Sequence, residues 1–73
     1  MTTTRIANGY YKGTYKGQDV VITKTWIEWS NETFWYCQIN GEDANDFVAT
    51  KKIAILSAMD MIDNANEYGL DLK

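Results

Sequence analysis

Seven consecutive residues, Thr33-Phe-Trp-Tyr-Cys-Gln-Ile39, carry large apolar side chains at odd and even positions alike. Their β-branched and aromatic composition suits a pleated strand. Successive side chains of a strand point to opposite faces. Trp35, Cys37 and Ile39 therefore share one face, and Phe34, Tyr36 and Gln38 share the other. A strand of this kind asks for cover on both sides, and the rest of the chain must either supply it or leave one face open.

Two further extended segments precede it. Gly9 to Tyr15 is rich in residues that suit a sheet, and Lys16-Gly-Gln-Asp19 supplies a turn. Val20 to Ile27 is the clearest strand, because its β-branched residues lose little by being extended. Ser30-Asn-Glu32 reads as the next turn, and Asn40-Gly41 as a hairpin turn in which both residues tolerate positive φ. A short extended piece around Asp46-Phe47-Val48 leads into the only helical pattern. Thr50 is placed to cap that helix and Gly69 to end it. At 100° per residue, Ala54, Ala58, Met61, Ile62 and Ala65 gather on one side with Ile55 and Met59 at its edge, while Ser57, Asp60, Asp63, Asn64 and Glu67 lie opposite. The pattern predicts an α+β domain: a three- to four-stranded antiparallel meander followed by one C-terminal helix packed on one face, with residues 1–73 as a single small domain.

That helix has more apolar residues than one buried face needs. Ile53 and Leu56 fall on its polar side, where either the 43–47 loop or the N-terminal arm wraps them, or they form an exposed patch that meets another chain. The sheet has a surplus of its own. If Trp35, Cys37 and Ile39 face the helix, Phe34 and Tyr36 stand on the uncovered side, joined by Tyr10 or Tyr11 and by Trp26 or Trp29. One helix cannot cover both faces of a sheet.

Composition narrows what such a chain can do. A domain of 73 residues has room for one modest core, and small scaffolds usually add a disulfide, a metal or a second subunit. Cys37 is the single cysteine and there is no histidine, so an internal disulfide and the common zinc ligand sets are not available within one chain. Oligomerisation, with a homodimer as its simplest form, is the staple left. No run of residues has the length of a membrane span, and Met-Thr-Thr-Thr-Arg-Ile at the start lacks a signal peptide's apolar core. A reducing, cytoplasmic setting is the expectation. The net charge of −3 argues against a duplex nucleic-acid binder, which normally presents a basic face, although local patches can depart from an average.

The candidates for chemistry are weak. Asp60, Asp63 and Glu67 lie at helical spacing, as metal-binding or acid-base carboxylates do, but such a stripe is usually a solvated face. Glu42 to Asp46 alternates oxygen ligands without the glycine or distal glutamate of a calcium loop. Cys37 in mid-strand reads as a small buried apolar residue. Gly9, Gly13 and Gly17 open no helix and precede no Gly-Lys-Ser/Thr, so they suit turns or close backbone approach rather than a phosphate loop. No catalytic, cofactor or metal site is expected, and the chain does not read as an enzyme.

The order Trp35-x-x-x-Ile39-x-Gly41, then Phe47-x-x-Thr50-Lys51-Lys52-x-Ala54-Ile55, then Ile62-Asp63 resembles a pattern in small phage-type and bacterial proteins with a β meander and a trailing helix. The resemblance covers about the last half of the chain and rests on structural residues. It implies the fold and a viral or mobile-element origin. Integrase arm-binding and plant AP2-like domains are similar in topology and grip DNA with the sheet, but this chain is acidic and Arg5 is its one arginine.

Two functions follow as expectations. The first is a small non-catalytic interaction or accessory protein, a homodimer or a binder of a host protein, with Ile53, Leu56, Phe34, Tyr36, Tyr10 and Tyr11 as the candidate interface. The alternative is single-stranded nucleic-acid binding, with bases stacked on Tyr10, Tyr11, Phe34 and Tyr36 and with Lys12 and Lys24 near the phosphates.

Overall fold

The computed structural model describes residues 1–44 and 47–73. Five antiparallel strands form one meander: β1 (Thr3–Ala7), β2 (Tyr10–Tyr15), β3 (Gln18–Ile27), β4 (Glu32–Ile39) and β5 (Glu42–Asp43), each paired with its neighbours in chain order. Helices α1 (Lys51–Asp63) and α2 (Ala65–Tyr68) follow. The meander and its trailing helix are as the residue pattern predicts, with five strands rather than three or four.

Both extra strands lack the signal that periodicity supplies. Beyond Thr3, every residue of the edge strand β1 is exposed, so no apolar alternation marks it. β5 has two residues, too few for any period. Of the extended piece expected at Asp46 to Val48, Asp46 lies outside the described residues. Val48 forms an isolated bridge to Trp35, with a backbone N–H···O bond of 2.8 Å in each direction.

Turn chemistry sets the register. Lys16 (φ 50°) and Gly17 (φ 79°) link Tyr15 to its partner Gln18, and Asn40 (φ 53°) and Gly41 (φ 88°) link Ile39 to Glu42. Positive φ at both central residues is what a two-residue hairpin in a right-twisted sheet requires. The β3–β4 turn occupies 28–31, two residues earlier than its Ser-Asn-Glu signal suggests. Ser30 Oγ donates to the Ile27 carbonyl at 3.2 Å, and Asn31 adopts φ 56°. Gly13 lies within β2 and serves close approach: a Cβ there would meet the Thr2 carbonyl oxygen at 2.6 Å.

The pairing Val20↔Ile39 and Ile22↔Cys37 puts these four side chains on one face. There they meet Ala54, Ala58 and Ile62 of α1, and the seven form the buried core. The alanines let the helix axis sit close to the sheet. Thr50 Oγ1 accepts the Ile53 N–H at 3.1 Å and so caps α1. The helical segment is not continuous to Gly69: Asn64 interrupts it at φ −120°, and Gly69, at φ 67°, ends the short α2. Trp35 lies on the helix side as expected but is only half-buried at the rim of an aliphatic core. The reason is length. The ten residues of β3 extend about 33 Å, whereas the thirteen of α1 span about 20 Å. The far end of the β3–β4 hairpin therefore has no helix over it.

Candidate functional site

The sheet face away from α1 has no second layer among the described residues. Tyr10, Thr23 and Tyr36 form one cross-strand row on it, and Thr25 and Phe34 form the next. Phe47 closes over this end, its ring centroid 6.5 Å from that of Phe34 and 5.8 Å from that of Tyr36. Phe47 remains 54% exposed, so it extends the aromatic surface rather than sealing it. A third row, Thr4, Lys12, Val21, Gln38 and Asp43, carries one charge of each sign, and Gln38 Nε2 donates to Asp43 Oδ1 at 3.0 Å. The centre of the face is uncharged. Phe47 was the residue sequence reasoning missed, and its signal was the residue Val48 beside it: if Val48 bridges to the helix side of β4, its neighbour points to the open side.

Strand alternation separates the remaining candidates. Tyr11 pairs with Ile22 and lies on the helix side, not with Tyr10 on the open face. Its ring centroid is 6.0 Å from that of Trp35, and Lys51 Nζ lies 3.6 Å from it in a cation–π contact. Ile53 and Leu56 are 47% and 53% exposed on the outer flank of α1. The candidate residues thus occupy two opposed surfaces, with Tyr10, Phe34 and Tyr36 on one and Ile53 and Leu56 on the other.

Two carboxylates of the acidic stripe on the helix, Asp63 and Asp60, are engaged in holding the fold. Asp63 accepts the Tyr15 hydroxyl at 3.1 and 3.0 Å and an ion pair from Lys16, which joins the β2–β3 turn to the end of α1. Lys16 holds the Asp63 carboxyl below the ordinary aspartate value, and Asp63 in turn raises Lys16 and Tyr15. Asp60 accepts the Tyr68 hydroxyl at 2.6 Å and the Asn64 side-chain amide at 2.9 Å, the bonds that support the bend at Asn64. The hydrogen bond from Tyr68 to Asp60 raises the tyrosine. A second polar knot surrounds the buried Gln18. Its Oε1 accepts from Asn40 Nδ2 at 2.9 Å and from the Lys73 backbone at 2.7 Å, while Lys73 Nζ pairs with Asp19 and lowers that carboxyl.

Cys37 is fully buried in the core, and burial pushes its thiol up to about 11. Among the described residues no group of three or more His, Cys, Asp or Glu side chains gathers as a metal site, and no helix is long and apolar enough to cross a membrane. A shallow depression at the α1–α2 junction is lined by residues that include Ile62, Asn66, Glu67 and Leu72.

Comparison with protein-family models, with curated proteins and with solved structures found no match to this chain. The functional reading therefore rests on the surfaces themselves.

Proposed function

We propose that this chain is a small non-catalytic interaction protein, an accessory protein of the kind small phage-type genomes encode, and that it works as a homodimer joined through the open sheet face. The observation that carries this reading is the uncovered, uncharged aromatic surface of Tyr10, Phe34, Tyr36 and Phe47, with Tyr10 38% and Phe47 54% exposed. Aromatic side chains bring large apolar area with a polar tip, which suits a contact surface. The core gives a second support. Seven buried apolar side chains, three of them from residues as small as alanine and cysteine, are a thin basis for a chain whose single cysteine leaves no internal disulfide to form. Two copies placed face to face would each gain the missing layer.

Sedimentation equilibrium tests this. The wild-type chain is expected to dimerise in the micromolar range, and Phe34→Glu with Tyr36→Glu to dissociate it, because in a two-fold contact the new charges would face their own copies. A wild-type chain that stays monomeric at high micromolar concentration would sink the homodimer.

Single-stranded nucleic acid on this same face is the weaker reading. Lys12 is the one cation in its rows, and stacking without a basic groove supplies little affinity.

A further inference from the structure

We propose that a different surface, the helix-side corner where β1, the far half of the β3–β4 hairpin and the N-terminus of α1 meet, binds single-stranded nucleic acid. The chain has seven lysines and arginines in all. Lys16 and Lys73 are held in ion pairs with Asp63 and Asp19, and Lys12 stands on the open face. Of the other four, Arg5, Lys24 and Lys51 come to this corner, and Lys52 borders it from the first turn of α1, about 100° around the helix from Lys51.

Register places them. Arg5 pairs with Tyr11 and Lys24 with Trp35, all four on the helix side. Lys51 stacks on Tyr11, whose ring in turn contacts Trp35. Lys52 is its neighbour in the first turn of α1, and Trp26, two residues beyond Lys24 on the same face, is 58% exposed. Cations and aromatic rings are thus interleaved over one surface. Among the described residues none of the four cations has an ion pair. The carboxylates of the helical region, Asp60, Asp63 and Glu67, lie on the later turns of α1 and on α2. Of the two acids at the hairpin tip, Glu32 is on the open-face side and Glu28 is in the turn.

Helix stability does not account for this placement. Lysines in a first turn oppose the positive end of the helix dipole, and α1 has no acid there to offset them. Their charge and that of the terminal amides add to one local positive potential on a chain whose average is negative. A flexible phosphodiester strand matches it: phosphates meet the four cations, and unstacked bases lie on Trp26 and the rim of Trp35. An acidic peptide would satisfy the charges but would leave the exposed indole without a stacking partner. A duplex keeps its bases stacked on each other.

The test is fluorescence anisotropy of a short labelled oligothymidylate with the full chain, read alongside quenching of tryptophan emission. Binding is expected at low salt, with log K falling against log salt at a slope of about −3 for four phosphate contacts on a single strand. Lys24→Gln with Lys52→Gln should shallow that slope by about half, and Trp26→Ala should weaken binding about tenfold at unchanged slope. All three positions are exposed, so circular dichroism of these variants should match the wild type. Lys12→Gln on the open face should bind as the wild type does. No oligonucleotide binding at low salt would overturn the site. So would polyglutamate competing as well as unlabelled oligothymidylate, which would assign the corner to an acidic protein, or loss of binding in Lys12→Gln alone, which would move the strand to the open face. Because the dimer contact is a separate surface, failure here leaves the sedimentation result standing.

Discussion

Ile22 has no exposed surface and sits between Tyr11 and Cys37 beneath α1. Its truncation would leave a cavity that the two-layer packing cannot close, so Ile22→Ala should cost about 3 to 4 kcal/mol in urea unfolding. Trp35 is larger but half-buried at the core's rim. Trp35→Ala should cost about 3 kcal/mol, the low end of the range for buried aromatics. An unchanged melting temperature for this variant would contradict the placement of Trp35 against Tyr11. Cys37 was read correctly as a small core residue. With its thiol pushed up to about 11 by burial, it should react with an aromatic disulfide reagent only as fast as the chain unfolds, and rapid labelling of the native protein would refute that burial. Gly13 shows what a lone residue type conceals. Its glycine is needed because β1 brings the Thr2 carbonyl against it, and β1 itself was not visible in the pattern.

At the scale of elements, α1 is held to the sheet by apolar contact along one side and by the Asp63 cluster at its end. The folded-state pKa of Asp63 is lowered, first by its hydrogen bond to Lys16. A lowered carboxyl stabilises the fold above its unfolded value of 3.8, and that contribution is lost as the pH falls through the lowered value. Asp19 behaves the same way through Lys73. Lys16 and Tyr15, both raised, contribute below their ordinary values and lose their share in strongly alkaline solution. Asp63→Asn should therefore reduce thermal stability modestly at neutral pH and flatten the acid limb of the stability profile. An acid limb identical to that of the wild type would show that Asp63 does not couple the helix to the turn. The surplus pair Ile53 and Leu56 belongs to this scale too. With each about half exposed, Ile53→Ser with Leu56→Ser should change stability by less than about 1 kcal/mol and leave dimerisation intact. Weakened association in this variant would transfer the dimer contact from the sheet face to the helix flank.

For the molecule as a whole, the fold sorts charge and apolar surface into separate regions. One sheet face is aromatic and uncharged at its centre, the helix-side corner carries cations that have no ion pair among the described residues, and three carboxylates, Asp60, Asp63 and Glu67, lie on the later helical turns. A net charge of −3 describes none of these regions. The charge average, which argues against a duplex nucleic-acid binder, sums residues that the fold places far apart. The meander, the hairpin turns at Lys16-Gly17 and Asn40-Gly41, the Thr50 cap and the buried face of α1 were all legible in the residues, because each depends on neighbours within one or two turns of chain. Strand alternation also settled that Phe34 and Tyr36 oppose Cys37 and Ile39. Other features depend on which distant segments meet. β1 exists because β2 offers it an edge, Tyr11 is withdrawn from the aromatic face because it pairs with Ile22, and Phe47 joins that face because Val48 bridges to Trp35. The basic corner needs Arg5, Lys24 and Lys51, separated by up to 46 residues of chain, to converge. Local periodicity carries no term for such convergence. Only the pairing register and the seating of α1 on the sheet bring those charges together.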